Sequence, residues 1–205
     1  LRESEADDFA MNDLAQNGYL LKSVAPSGET TLTRVRSHVL FSDWTVDREV
    51  TENLLARASV NLVTITVTES GYYLDPVTNE FDNTHADILH DAQNPNTPRT
   101  AFGAIIAALK QRYESGIGPF TGLSCDNLQG NGNILRNTIV SLATMSDPLL
   151  ATWIDENCSF PNSMVDCIVP ATGDKELELV QQFGIDDKVP VTHENFRQWV
   201  IEDDF

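Results

Sequence analysis

Near the middle of the chain the sequence reads Phe120-Thr-Gly-Leu-Ser-Cys-Asp-Asn-Leu-Gln-Gly-Asn-Gly-Asn133. This stretch begins as a short apolar strand and changes to small, amide-bearing and glycine residues directly before a segment with helical periodicity. In an α/β sheet such a junction is a binding position, because the carboxyl ends of parallel strands open onto a crevice. Asn127 is predicted to lie at this junction, where its side chain offers a hydrogen-bond donor and an acceptor without a charge.

Strands and helices alternate on both sides of this junction. Residues 60–67 are β-branched and nearly continuously apolar, as expected of a buried strand in a parallel sheet. Further strands are predicted at 19–24, 31–35, 120–124, 158–160 and 189–192, and helices at 3–16, 47–58, 86–91, 100–114, 133–145, 147–156 and 175–183. This alternation favours a doubly wound α/β domain.

The composition limits the possible partners. The chain has 205 residues, of which 41% are hydrophobic, and its formal net charge is -18. A chain this acidic repels phosphate groups, so we expect neither nucleic acid nor a membrane as a partner. The three cysteines, Cys125, Cys158 and Cys167, are an odd number without metal-type spacing. This favours reduced thiols in a cytoplasmic protein.

Metal and hydrolase chemistry have little support in the sequence. The histidines are scattered, and no His-Glu-x-x-His or paired-cysteine spacing occurs, so we expect no metal site. A hard-metal cluster is an alternative for the acids and histidines of 82–91, although a solvated loop and a helix start explain the same residues. Gly122-Leu-Ser124 lacks the second glycine of a nucleophile elbow. A metal-dependent hydrolase is therefore the most remote alternative.

The glycines of Gly130-Asn-Gly132 do not form a dinucleotide fingerprint. That motif needs a third glycine, and Leu135 stands in its place. We interpret the pair as a turn that lets the backbone approach a ligand or a helix closely.

Taken together, three motifs resemble the mannitol dehydrogenase family of polyol dehydrogenases. They are the stretch at 120–133, Phe160-Pro-Asn-Ser-Met-Val-Asp166 and Phe196-Arg-Gln-Trp-Val-Ile-Glu-Asp-Asp-Phe205. In addition, Thr68-Glu-Ser-Gly-Tyr72 resembles the family's Thr-Glu-Gly-Gly-Tyr loop. The resemblance covers essentially the whole chain. It implies that residues 1–205 are part of an N-terminal coenzyme-binding domain with a Rossmann-like fold, without its first strand-helix unit.

The resemblance also implies roles for five residues. Asn127 corresponds to a residue that stabilises the developing oxyanion beside the coenzyme. Asp166 corresponds to an acid that helps to connect the catalytic centre to solvent. Glu5, with Glu3 as the second choice, corresponds to an acid that binds the adenosine ribose, which favours NAD over NADP. A purely structural acid in a helix first turn is the alternative. Thr68 and Glu69 line the coenzyme site, although a purely structural role is as plausible for Glu69.

The expected function is that of an NAD-dependent polyol dehydrogenase, which interconverts a sugar alcohol such as mannitol or arabinitol with its ketose. In the family the general base is a lysine of a helical C-terminal domain, which we expect to lie outside this chain, leaving the chain alone inactive. One alternative is a reductase of sugar acids such as fructuronate or tagaturonate. Another is a non-catalytic nucleotide-binding module.

Overall fold

The structure is a computed structural model that describes residues 18–38 and 40–205. The predicted helix at 3–16 and the candidate coenzyme ligand Glu5 lie outside the described residues. The chain divides into two compact units. The first comprises Leu1–Asp47 and Asp166–Gln198, and the second comprises Arg48–Val165 and Trp199–Phe205. In the described ranges, no helix combines the length and the apolar character that are needed to cross a bilayer.

The elements alternate along the chain as predicted. The helices are α1 (Arg48–Leu55), α2 (Ala86–Gln93), α3 (Ala101–Glu114), α4 (Asn131–Ser146), α5 (Pro148–Asn157) and α6 (Asp174–Gln182). The strands are β1 (Tyr19–Val24), β2 (Thr30–Val35), β3 (Leu62–Ile65), β4 (Thr121–Ser124), β5 (Ser163–Asp166), β6 (Val191–Glu194) and β7 (Gln198–Ile201). A short 3-10 helix covers Glu69–Tyr72.

The predicted strand at 158–160 is wrong. The carbonyl of Ser159 accepts a hydrogen bond from the Gly122 N–H at 3.0 Å, but the regular strand in this region is β5, which begins at Ser163. Pro161 separates the two segments and has no N–H to contribute to a ladder, so regular pairing begins only after it. β7, which pairs with β5, was not predicted.

In the first unit a three-stranded sheet has the order β2-β1-β6. β1 and β2 form an antiparallel hairpin, and β6 runs parallel to β1 on its other side. The buried Asp187 fixes this sheet to the segment after α6, because its carboxylate accepts a hydrogen bond of 2.6 Å from the Leu20 N–H.

The core of the second unit lies between the parallel pair β3–β4 and the helices α3, α4 and α5. The register of β3 and β4 pairs Leu62 with Thr121 and Ile65 with Ser124. In the described part of the chain β3 pairs on one side only, and Leu62 is 43% exposed. The expectation of a buried strand at 60–67 is therefore wrong, since Ile65 alone of these residues is buried. Residues that are completely buried in this core include Phe102, Leu109, Leu135, Ile139 and Ile154.

A buried arginine ties two backbone segments, one before β3 and one before β4, to α3. Arg112 is 2% exposed, and its guanidinium donates hydrogen bonds only to main-chain carbonyls in the contacts described here. These carbonyls belong to Leu55, Arg57, Val60, Gly118 and Pro119, at distances of 2.6 to 3.4 Å. The guanidinium also lies 5.3 Å from the centre of the Phe120 ring. Burial lowers the pKa of Arg112, but an arginine stays protonated in a protein.

Candidate functional site

The candidate site lies at the carboxyl edge of β3 and β4. Because the two strands are parallel, they end at the same edge of the sheet. The loop after β3 contains Thr68 and Glu69, and the loop after β4 contains Asn127. The structure thus brings together three of the five residues that were predicted from the family resemblance.

Asp126 joins the two loops. Its buried carboxylate accepts hydrogen bonds from the N–H of Val67 at 2.9 Å and from the N–H of Thr68 at 3.0 Å. It also accepts one from the Tyr72 hydroxyl at 2.9 Å, and the Ser124 hydroxyl lies 2.6 Å from the same phenolic oxygen. Burial is the main cause that raises the pKa of Tyr72, so this phenol stays protonated and keeps its hydrogen for Asp126. Asp126 therefore holds the two loops together, and we call this set of hydrogen bonds the brace.

The three candidate ligands on these loops face solvent. Thr68, Glu69 and Asn127 are all exposed, whereas their neighbours Asp126 and Tyr72 are buried. Buried residues thus hold the loops in place, and a hydroxyl, a carboxylate and an amide remain exposed to solvent. A hydroxyl and an amide in this position can hydrogen-bond the uncharged polar groups of a ligand.

Thr68 has a backbone conformation that favours glycine. Its φ is 64° and its ψ is 168°, a region that is essentially restricted to glycine because a β-carbon collides with the backbone there. The strain is retained because the Thr68 N–H is held by Asp126, and the next residues form the 3-10 helix. Strained residues cluster at ligand sites, which agrees with the position of Thr68 at the candidate site.

We expect Thr68→Gly to stabilise the protein. Relief of the strain gains about 1–3 kcal/mol, and the greater freedom of glycine in the unfolded chain costs about 0.5–1 kcal/mol. The net gain of about 1 kcal/mol is measured as an increase in the midpoint of urea unfolding. The control is Thr66→Gly, at an exposed threonine that is not among the residues with positive φ and should lose stability. Equal destabilisation by both substitutions would show that Thr68 is not strained.

Asn131 is a buried amide that the sequence analysis missed. It is fully buried in the first turn of α4, and its Nδ2 donates to the carbonyls of Ser124 at 3.1 Å and Asp126 at 3.0 Å. Its Oδ1 accepts a hydrogen bond of 2.8 Å from the Ser163 N–H. Ser163 adds a hydrogen bond of 2.5 Å from its hydroxyl to the Ser124 carbonyl. An asparagine between two glycines resembles an ordinary turn residue, so no signal in the sequence indicated this role.

The N-terminus of α4 is closed by the segment that follows α5. Asn162 Oδ1 accepts hydrogen bonds from the N–H of Gly132 at 3.0 Å and of Asn133 at 3.3 Å. A β-carbon on Gly132 would overlap the carbonyl oxygens of Phe160 and Pro161. Gly132 is therefore required for a close approach between two backbones, in agreement with the interpretation of this pair as a turn of close approach. The two amides that a phosphate would need are already bonded to Asn162.

Glu202 links β7 to the same segment. Its carboxylate accepts hydrogen bonds from the N–H of Asn162 at 3.0 Å and from the Asn162 side-chain amide at 2.9 Å. Its own N–H donates to the Asn162 carbonyl at 2.9 Å. Asn162 is thus fixed from both sides, between the start of α4 and the end of the chain. This contact joins all three of the motifs that carried the family resemblance.

Asp166 is the last residue of β5 and belongs to the first unit. Its side chain is exposed. Next to it, Cys167 lies with its Sγ 3.7 Å from Nδ1 of the buried His193. The structure leaves the role of Asp166 as a prediction.

The three cysteines are free thiols. Burial raises the pKa of Cys158 to about 12, and burial together with the charge of Asp126 raises the pKa of Cys125. Burial and the neighbouring Glu194 also raise the pKa of Cys167. Since the thiolate is the nucleophilic form, thiol catalysis is not favoured at the candidate site.

The acids and histidines of 82–91 have structural roles. The Asp82 carboxylate accepts hydrogen bonds from the N–H and the hydroxyl of Thr84, and His85 Nδ1 accepts one from the Asp87 N–H at the start of α2. Asp91 is buried and binds the N–H and the hydroxyl of Thr100, which precedes α3. In the residues that the structure describes, no group of three or more His, Cys, Asp or Glu side chains is arranged to hold a metal ion.

Comparison with known proteins assigns this arrangement to a family. The model of the mannitol dehydrogenase Rossmann domain matches residues 10–205. Mannitol 2-dehydrogenase of Cereibacter sphaeroides is 56% identical over 146 residues, which are 71% of this chain and 30% of that protein. The polyol:NADP oxidoreductase of Gluconobacter oxydans is 38% identical over 207 residues, which cover 99% of this chain and 41% of that protein.

A solved structure agrees with the sequence relatives. Mannitol 2-dehydrogenase of Pseudomonas fluorescens, in a ternary complex with NAD and D-mannitol, superposes with a TM-score of 0.89 at 35% identity. The superposition covers 98% of this chain and 41% of that one, so the chain spans less than half the length of the relatives that it matches. The predicted Rossmann-like α/β fold is confirmed, and the chain belongs to the mannitol dehydrogenase family, matching the model of its Rossmann domain.

Proposed function

We propose that this chain is the coenzyme-binding part of an NAD-dependent polyol dehydrogenase that interconverts a sugar alcohol with its ketose. The observation that carries the proposal is the braced pair of loops at the carboxyl edge of β3 and β4, which presents Thr68 and Asn127 to solvent. The carboxyl edge of an α/β sheet is the position at which such folds bind their ligands. The NAD and D-mannitol in the Pseudomonas fluorescens complex support the coenzyme and the class of substrate that we propose for this chain.

The residues of this edge fit a nicotinamide coenzyme. When bound, NAD supplies the acceptor for the hydride that leaves the alcohol carbon. We propose that Thr68 and Glu69 line the coenzyme site and that Asn127 stands beside the reacting oxygen. The Asn127 amide N–H would donate a hydrogen bond to that oxygen as negative charge develops on it. Because an amide carries no charge, it can also bind the neutral alcohol and the neutral ketone.

We propose two further residues and a partner for this site. Glu5 would bind the hydroxyls of the adenosine ribose and disfavour NADP, and Asp166 would help to connect the catalytic centre to solvent. The general base would be a lysine of a helical C-terminal domain of the same protein. Apolar side chains on and near β5 and β7 support a contact with a further domain, since Met164, Trp199 and Val200 are each more than half exposed. We further propose a cytoplasmic location.

The test uses the full-length gene product, with mannitol and arabinitol as substrates and either NAD or NADP as coenzyme. We expect formation of reduced NAD, followed by its absorbance, with at least one of the two polyols, and activity that survives dialysis against a chelator. Reduction of fructuronate or tagaturonate without polyol oxidation would instead assign the sugar-acid reductase function. Binding of NADH, followed by its fluorescence, without turnover of any of these substrates would assign a nucleotide-binding module.

A preference for NADP over NAD would refute the proposed role of Glu5. The name of the Gluconobacter oxydans relative includes NADP, so members of the family differ in this respect. The decisive comparison is the ratio of kcat/KM for the two coenzymes in the wild type and in Glu5→Ala. We expect the preference for NAD to decrease in the variant.

A further inference from the structure

Asn131 holds the backbone on both sides of Cys125, in the turn that leads to Asn127. Its Nδ2 binds the carbonyls of Ser124 and Asp126, which also accept hydrogen bonds from the Ser163 hydroxyl and the Leu128 N–H. Because one buried nitrogen binds both carbonyls, the amide fixes their positions relative to each other, and each such hydrogen bond contributes about 0.5–1.5 kcal/mol. The conformation of the turn also sets the direction in which the Asn127 side chain points.

The same amide fixes a second segment. Asn131 Oδ1 accepts the N–H of Ser163, the first residue of β5, and the Ser163 hydroxyl returns to the Ser124 carbonyl. Asn131, Ser163 and Ser124 thus form a closed set of hydrogen bonds, which we call the amide clasp. Every polar atom of the Asn131 side chain is used within it, with distances of 2.8 to 3.4 Å.

We infer that Asn131 is a positioning residue for the Asn127 oxyanion donor, acting through the backbone of the turn and without touching the substrate. This inference rests on the proposed function. The brace at Asp126 and the clasp fix different segments of the chain. Asp126 holds the loop after β3 through two N–H groups, whereas Asn131 holds the turn after β4 through two carbonyls. A small displacement of a catalytic donor is sufficient to reduce the rate strongly.

The central experiment is a double-mutant cycle in kcat with the full-length gene product, using the polyol that it oxidises. Asn131→Ala removes the clasp, and we expect kcat to decrease by about 10- to 100-fold. The dissociation constant of NADH should change by less than about twofold, because the turn carries the catalytic donor and leaves the loop after β3 in place. In the Asn127→Ala background the same substitution should reduce kcat by less than about threefold, since the group that it positions is already absent.

A matched control is available on the same helix. Asn137 is an exposed asparagine of α4, and Asn137→Ala should leave kcat and the NADH dissociation constant unchanged. If Asn131→Ala does not fold, Ser163→Ala replaces it. That variant keeps the N–H donor to Asn131 and loses only the hydroxyl bond to the Ser124 carbonyl. We expect a decrease in kcat of about 3- to 10-fold, again absent in the Asn127→Ala background.

Two outcomes would overturn the inference. One is an equal decrease in kcat in both backgrounds, which would make the clasp a structural feature without a connection to Asn127. The other is wild-type kcat in Asn131→Ala, or in Ser163→Ala where the first variant fails to fold. Failure of the proposed function is distinguishable from both, because the wild-type protein would then oxidise no polyol at all.

Discussion

Replacement of Asn127 by alanine is expected to lower kcat for polyol oxidation by about 100- to 1000-fold, the usual effect of removing one oxyanion donor. The amide N–H is proposed to bind the alcohol oxygen most strongly when the proton has left it and the hydride is departing. Its loss should therefore raise the energy of the transition state more than that of the bound substrate. The effect should appear in kcat, with a smaller change in the KM for the polyol.

The stability of this variant provides the control. Asn127 is exposed, and substitutions at such positions change the free energy of unfolding by about 0.5 kcal/mol or less. Wild-type unfolding together with a large decrease in kcat would support a role in the reaction. Asn127→Asp is a second test, since a carboxylate at the same position repels the developing negative charge and should be at least as inactive as alanine. A kcat within threefold of the wild type in Asn127→Ala would refute the proposed role.

Replacement of Arg112 by methionine is expected to destabilise the protein by about 4 kcal/mol or more, which is a large part of the total stability of a typical domain. Methionine fills part of the volume of the arginine but cannot donate to the carbonyls of Arg57, Val60 and Gly118. A hydrogen bond from a charged group contributes about 1.5–3 kcal/mol, and three of them are lost here. The decrease is measured by urea unfolding with the same full-length protein.

Arg136→Met is the matched control for this prediction. Arg136 is half exposed and forms an ion pair of 2.7 Å with Asp155, which is also partly exposed. Surface pairs of this kind contribute about 0–1 kcal/mol, so the control should change little. A loss of stability that is equal in the two variants would show that the carbonyl contacts of Arg112 are not what stabilises the fold.

Local sequence signals predicted most of the elements. Asp147 followed by Pro148 is one such signal: the carboxylate caps α5 by accepting a hydrogen bond from the Leu150 N–H at 3.1 Å, as the residue types indicate. Glycines after the last turn of a helix and runs of β-branched residues likewise predicted helix ends and strands. These signals depend on residues within four or five positions of each other, so a single sequence is sufficient to recognise them.

The contacts that hold the candidate site together are not local. Asn131 is 32 residues from Ser163, and Asp126 is 58 residues from Thr68. Which polar side chains would be buried depended on how the loops meet, and the periodicity of the sequence does not contain that information. The family resemblance supplied Asn127, Thr68 and Glu69 because it compares whole motifs. It did not supply Asn131 or Arg112, whose roles follow only from the contacts of the folded chain.

The contacts of Arg112 have a consequence for how this domain tolerates change in evolution. The guanidinium donates its hydrogen bonds to main-chain oxygens, which every amino acid carries, and it contacts the side chain of Phe120 through the ring face. The residues before β3 and β4 other than Phe120 can therefore be exchanged over generations without loss of these hydrogen bonds, provided that the lengths and paths of these loops are kept. Insertions and deletions there should be rarer among viable descendants than substitutions.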